Sequence, residues 1–109
     1  MTKKDFKEHH REMAMYAKAL SHPARVYIIE RLLSENRCDG VGCCTSGEMI
    51  TEVPIARSTL SQHLKELKAA GLIQGEIELP TIRYCVDTKN WEKAKKLFEN
   101  FINPGTCKK

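Results

Sequence analysis

Apolar residues recur at helical intervals along most of this chain and alternate in one short stretch near its middle. Phe6, Met13, Tyr16, Ala17 and Leu20 predict a first helix between Asp5 and Leu20, ended by Ser21-His22-Pro23. Pro23 suits the first turn of a second helix that continues through Val26, Ile28, Ile29, Leu32 and Leu33 and is apolar on several sides, hence central. Residues 36–47 hold Cys38, Cys43 and Cys44 with three of the six glycines, and read as a loop. A short helix is expected over 46–53, stopped by Pro54, and a longer one from about Arg57, on which Leu60, Leu64 and Leu67 share one side. Gly71 can end that helix in a left-handed conformation. Residues 72–78 partly alternate, Leu79-Pro80-Thr81 reads as a turn, and 82–87 return as the partner strand. Trp91, Ala94, Leu97, Phe98, Phe101 and Ile102 give an amphipathic last helix over 89–102, capped by Asp87 or Thr88 and ended by Pro104-Gly105.

The fold class expected from this order is mainly α with a small β-hairpin. Two helices meeting at a tight turn, followed directly by a hairpin over 72–87, describe a winged helix-turn-helix. The 109 residues, 41% of them hydrophobic, fit one domain spanning 1–109 with a modest core. A net charge of +4 suits polyanion contact only if it is gathered on one surface. No run of 18 apolar residues exists and the first ten residues lack the apolar middle of a signal peptide, so a cytoplasmic protein without membrane contact is expected. Five cysteines are an odd number, which disfavours a secreted disulfide framework and favours thiols kept for metal or redox chemistry.

The helix from Arg57 carries the strongest functional signal. Ser58, Thr59, Ser61, Gln62, His63 and Lys65 occupy the rest of its surface, and Glu66 is its first acidic residue. Ser, Thr, Gln, His and Lys donate hydrogen bonds to phosphates and base edges, and a helix N-terminus adds backbone donors. This pattern points to a face that reads DNA. For His63 a structural role inside the fold competes with DNA contact, and Arg25 suits capping or an interface as well as phosphate contact. His9 and His10, being adjacent on a helix, are poorly placed to chelate one ion and read as surface.

Leu20-Ser21-His22-Pro23-Ala24-Arg25, followed by Ser58-Thr59-Leu60-Ser61-Gln62-His63-Leu64-Lys65-Glu66-Leu67, resembles the ArsR/SmtB-type family of winged-helix regulators over nearly the whole chain. The resemblance implies a homodimeric repressor whose first and last helices form the dimer interface and whose paired recognition helices enter adjacent major grooves of an inverted-repeat operator in double-stranded DNA. It carries DNA contact onto Arg57, Ser58, Thr59, Ser61, Gln62 and His63, phosphate contact onto Lys65 and Lys68, and wing contact onto Thr81 and Arg83. Ala56 departs from the family, which commonly has Ser or Thr there as a helix cap.

Thiolates are soft ligands, and Cys38, Cys43 and Cys44 make a candidate trithiolate site for an inducer such as As(III), Cd(II) or Pb(II). The arsenic sensors that the chain resembles carry Cys-x-Cys at positions that fall here on Thr45 and Gly47, so their ligand set does not transfer directly. The last helix contains no His, which disfavours the family's other common metal site. A thiol redox or persulfide switch competes, in which Cys38 meets Cys43 or Cys44, or a loop cysteine meets Cys85 or Cys107. Cys85, beside Tyr84 on a strand, reads as an inert apolar residue, and Cys107 as an exposed thiol with no assigned role. Enzymatic function is disfavoured: there is no Cys-x-x-Cys, phosphate-cradling loop or Ser/His/Asp set. A winged-helix module that binds protein instead of DNA, without a metal switch, is the remaining alternative.

Overall fold

The computed structural model describes residues 5–34, 43–78 and 81–104, with backbone alone at 43, 44, 46, 76–78 and 81. In chain order the elements are α1 (Glu8–Ala19), α2 (Pro23–Ser34), β1 (Cys43–Thr45), α3 (Ser46–Ile50), α4 (Arg57–Ala69), β2 (Ile73–Glu78), β3 (Thr81–Val86) and α5 (Thr88–Ile102). The protein is mainly helical with an antiparallel hairpin, as the hydrophobic pattern predicts. Its three strands lie in the order β1-β3-β2, both pairings antiparallel.

Side-chain spacing explains the core. Ile28 and Leu32 from α2, Met49 from α3, Leu60, Leu64 and Leu67 from α4, and Leu72 and Ile73 entering the wing are all fully buried together. One apolar stripe per helix is enough to close such a core, leaving the opposite face of α4 in water. α1 packs on α5 at the edge of this body. Among the described residues no helix is long and apolar enough to cross a membrane.

Local chemistry sets the helix ends. Thr45 Oγ1 accepts from the Glu48 amide at 3.2 Å while the Thr45 amide donates to Glu48 Oε1 at 2.9 Å, a capping box that starts α3. Asp87 Oδ1 accepts from the Asn90 amide at 3.1 Å and starts α5. At the end of α4 the Gly71 amide donates to Lys68 O at 2.9 Å and the Leu72 amide to Leu67 O at 3.1 Å, a Schellman closure with Gly71 at φ 85°. A Cβ on Gly71 would lie 2.9 Å from Asn90 Nδ2, whose own hydrogen bond ends on Gly71 O, so this glycine also lets α5 dock against the end of α4.

Three expectations change. The segment read as a loop over 36–47 is strand from Cys43 to Thr45, because β3 offers it a free edge to pair with. The short third helix ends at Ile50 and not at 53, and Glu52 beyond it is drawn to α2, where Arg31 Nε donates to it at 2.8 Å and Tyr27 Oη also donates. Those two donors, Arg31 first, hold the Glu52 carboxyl below its ordinary range. Phe6 precedes α1 and is 72% exposed, so it is no part of the core.

Candidate nucleic-acid interface

α4 turns its leucines inward and leaves Arg57, Ser58, Thr59, Ser61, Gln62, Lys65 and Lys68 exposed. Its N-cap is Ala56, in extended conformation and without a side-chain cap, and no carboxylate lies in its first turn. The first-turn amides therefore keep their donors for an outside acceptor, and the helix dipole favours an anion there. Among the described residues Arg57, Lys65 and Lys68 have no ion-pair partner, so their charge faces solvent. Gln62 is exposed but engaged: its Nε2 donates to Glu66 Oε2 at 3.0 Å.

The wing is less open than its sequence suggests. Thr81 begins β3, with Glu78 as its register partner. Arg83 lies on the central strand between Thr45 of β1 and Glu76 of β2, half-buried and already engaged within the chain.

His63 does not join the outward face. It is only 6% exposed, and its Nδ1 accepts from Arg25 Nε at 3.0 Å, while Arg25 Nη1 reaches Ala19 O at 3.5 Å. The His22 ring lies against it, centroids 4.3 Å apart. DNA contact by His63 is thus corrected to a structural role, in which it and Arg25 tie α4 to α2. Because Nδ1 accepts, the neutral ring carries its proton on Nε2, which is buried without a partner.

Burial, then the neighbouring charges of His22 and Arg25, hold His63 below the ordinary histidine value of 6.5. Protonation would turn Nδ1 into a donor facing the Arg25 donor. A histidine depressed in the folded state contributes its full stability above its unfolded value, and loses it as pH falls through the lower folded value. The thermal midpoint of the wild type is therefore expected to drop as pH falls below about 6.5, the unfolded histidine value, and His63→Gln, which can still accept from Arg25 but does not titrate, is expected to flatten that limb. Equal slopes in the two proteins, followed by calorimetry, would refute the link.

The cysteines divide. Cys38 and Cys107 lie outside the described residues. Cys43 and Cys44 occupy consecutive positions of β1, with Cys85 and Tyr84 as their respective register partners on β3. Cys85 is 7% exposed and disulfide-bonded, which overturns its reading as an inert apolar residue. Among the described residues no three His, Cys, Asp or Glu side chains converge on one metal position.

Of the residues that shape this region, Arg25 was legible only as a choice among roles, and Glu66 only as the first carboxylate on the helix. Burial of His63 had a signal in the spacing: at 100° per residue it lies about 60° from Leu60, on the margin of the apolar stripe.

The comparisons agree with this architecture. Residues 20–76 match the family model described as a helix-turn-helix domain. The chain is 30% identical over 84 residues to the biofilm growth-associated repressor of Xylella fastidiosa, covering 77% of this chain and 68% of that protein. It is 36% identical over 59 residues to the HTH-type transcriptional repressor SmtB of Mycobacterium tuberculosis, covering 54% of this chain and 38% of the relative. A crystal structure described as a possible transcriptional regulator for arsenical resistance superposes with a TM-score of 0.66 at 26% identity, over 77% of this chain and 80% of that one. These relatives are transcriptional regulators, and the chain belongs to the ArsR/SmtB-type family of winged helix-turn-helix regulators.

Proposed function

We propose that this chain is a homodimeric, sequence-specific repressor that lays α4 of each protomer in the major groove of an inverted-repeat operator. The observation that carries this reading is the outward face of α4, where Arg57, Ser58, Thr59, Ser61 and Gln62 are exposed around an uncapped helix start with no first-turn carboxylate. Lys65 and Lys68 are assigned to phosphates, with Thr81 and Arg83 adding wing contacts once Arg83 leaves its internal partner. Pairing through α1 and α5 is supported by Phe6, Phe101 and Ile102, which are 72%, 69% and 71% exposed at that edge. Apolar side chains so exposed in a small domain gain from burial against a second copy.

For the switch, the disulfide at Cys85 favours thiol oxidation. Cys43, the backbone register partner of Cys85 on β1, is assigned as the other half of that bond. Two thiols would lose two protons and two electrons to a peroxide-class oxidant as the S–S bond forms. That bond would staple β3 of the wing to the strand that runs straight into α3, so its formation or loss would bias how the helix-turn-helix is held. A soft-metal inducer such as As(III), Cd(II) or Pb(II), bound through Cys38, Cys43 and Cys44, is the second reading, supported by the likeness to the regulator described for arsenical resistance.

The test is fluorescence anisotropy on duplex DNA from the protein's own promoter region, with reduced protein, peroxide-treated protein, and reduced protein given each ion. Affinity changed by peroxide in the wild type, but not in Cys85→Ser or Cys43→Ser, is the expected outcome. Release by one ion that requires Cys43 and Cys44 would move the assignment to the soft-metal reading. Absence of specific binding in every condition would leave the winged helix as a protein-interaction module.

A further inference from the structure

Glu66 is the only carboxylate on α4, the helix that would approach a polyanion, and it is exposed one turn after Gln62. Electrostatically it is misplaced there, since every phosphate nearby repels it. What it does in the structure is hold Gln62, one turn earlier, through the 3.0 Å bond from Gln62 Nε2 to Glu66 Oε2. Resting on the repressor reading above, we propose that Glu66 is a positioning residue that fixes the Gln62 amide for adenine readout and so sets base specificity at one position of each half-site.

The argument is one of hydrogen-bond inventory. An ionised carboxylate only accepts, so it can pair with the NH2 end of the amide and not with the carbonyl end. With one N–H spent on Glu66, Gln62 keeps one N–H and its Oε1, side by side, for an outside partner. Adenine presents in the major groove an acceptor at N7 beside a donor at N6, which matches that pair. Guanine presents two acceptors, N7 and O6, and would set O6 against Oε1. A free glutamine could rotate its amide to offer two N–H groups to guanine instead; a glutamine held by Glu66 cannot do so without breaking the bond. The helix geometry allows this division, because residues four apart are neighbours on one face. Ser58, one turn earlier than Gln62, lies on the same outward side.

The experiment is in vitro selection from a duplex pool with randomised half-sites, run with the wild type, Glu66→Ala, Glu66→Gln and Gln62→Ala, followed by binding constants on matched duplexes with adenine or guanine at the position that Gln62→Ala identifies. Wild-type protein is expected to select adenine there. Glu66→Ala is expected to bind random DNA more tightly, having lost a negative charge, yet to lower the adenine-to-guanine ratio about fivefold or more. Glu66→Gln, whose side-chain carbonyl can still accept from Gln62, is expected to keep the ratio within about twofold of wild type despite the same loss of charge. An unchanged ratio in Glu66→Ala, or an equal loss in Glu66→Ala and Glu66→Gln, would overturn the proposal while leaving the repressor reading intact. Absence of any adenine preference dependent on Gln62 in a protein that does select a sequence would overturn it as well. Failure of the wild type to select any sequence would overturn both.

Discussion

Raising the salt concentration from about 50 to about 200 mM is expected to weaken operator binding by roughly a thousandfold, with a log–log slope near about −5. The estimate follows from three cations on each α4. Arg57, Lys65 and Lys68 are exposed and, among the described residues, hold no internal ion pair, so a dimer brings roughly six charges to phosphates. Each neutralised phosphate releases condensed counterion, and raised salt opposes that release. Lys68→Ala is expected to lessen the slope by about two per dimer and to weaken specific and random DNA alike, since a phosphate carries no sequence. Gln62→Ala is expected to do the reverse, keeping the slope and losing discrimination. Anisotropy titrations at several salt concentrations decide the matter. A slope shallower than about −2 would show that these cations are not at phosphates, and would favour a protein partner.

How far the residues alone lead depends on the range over which each feature is determined. The leucine stripe of α4, the glycine that ends it and the polar face opposite are consequences of spacing within one helix, and are visible without any partner. So is the Asp87 cap, which needs only the amide three residues on. β1 was hidden because three residues show no period, and this strand exists through its pairing with β3 some forty residues later. His63 was ambiguous for the same reason. Its place on the margin of the stripe allows either outcome, and Arg25, separated from it by 38 residues, decides it by supplying the donor that its buried Nδ1 requires. Cys85 differs from its expected inert role because an isolated thiol on a strand carries no sequence signal for its partner. The Gln62–Glu66 pair was fully available at a spacing of four, yet its meaning depends on which end of an amide faces outward, a question that arises only once the bond is seen.

The division of α4 into a folding side and a reading side implies that neighbouring substitutions on it should fail in opposite ways. Leu64→Ala is expected to destabilise the protein by roughly 3 kcal/mol and lower the thermal midpoint by about 10–25 °C. Leu64 is 1% exposed and belongs to the cluster that joins Ile28 and Leu32 of α2 to Met49 of α3, so its truncation leaves a cavity where helices from three segments meet. The loss is a large part of a total stability of about 5–15 kcal/mol. Gln62, two residues earlier, is exposed and touches nothing in the core, and its replacement by Ala is expected to move stability by no more than about 0.5 kcal/mol. Differential scanning calorimetry of the two variants, beside their DNA titrations at low temperature, separates the roles. A folded Leu64→Ala protein should retain base discrimination with a depressed midpoint, and Gln62→Ala should show the wild-type midpoint with discrimination lost. Comparable melting of both variants would mean that the outward face of α4 is structural, and the surface that reads DNA would then have to be sought elsewhere in the fold.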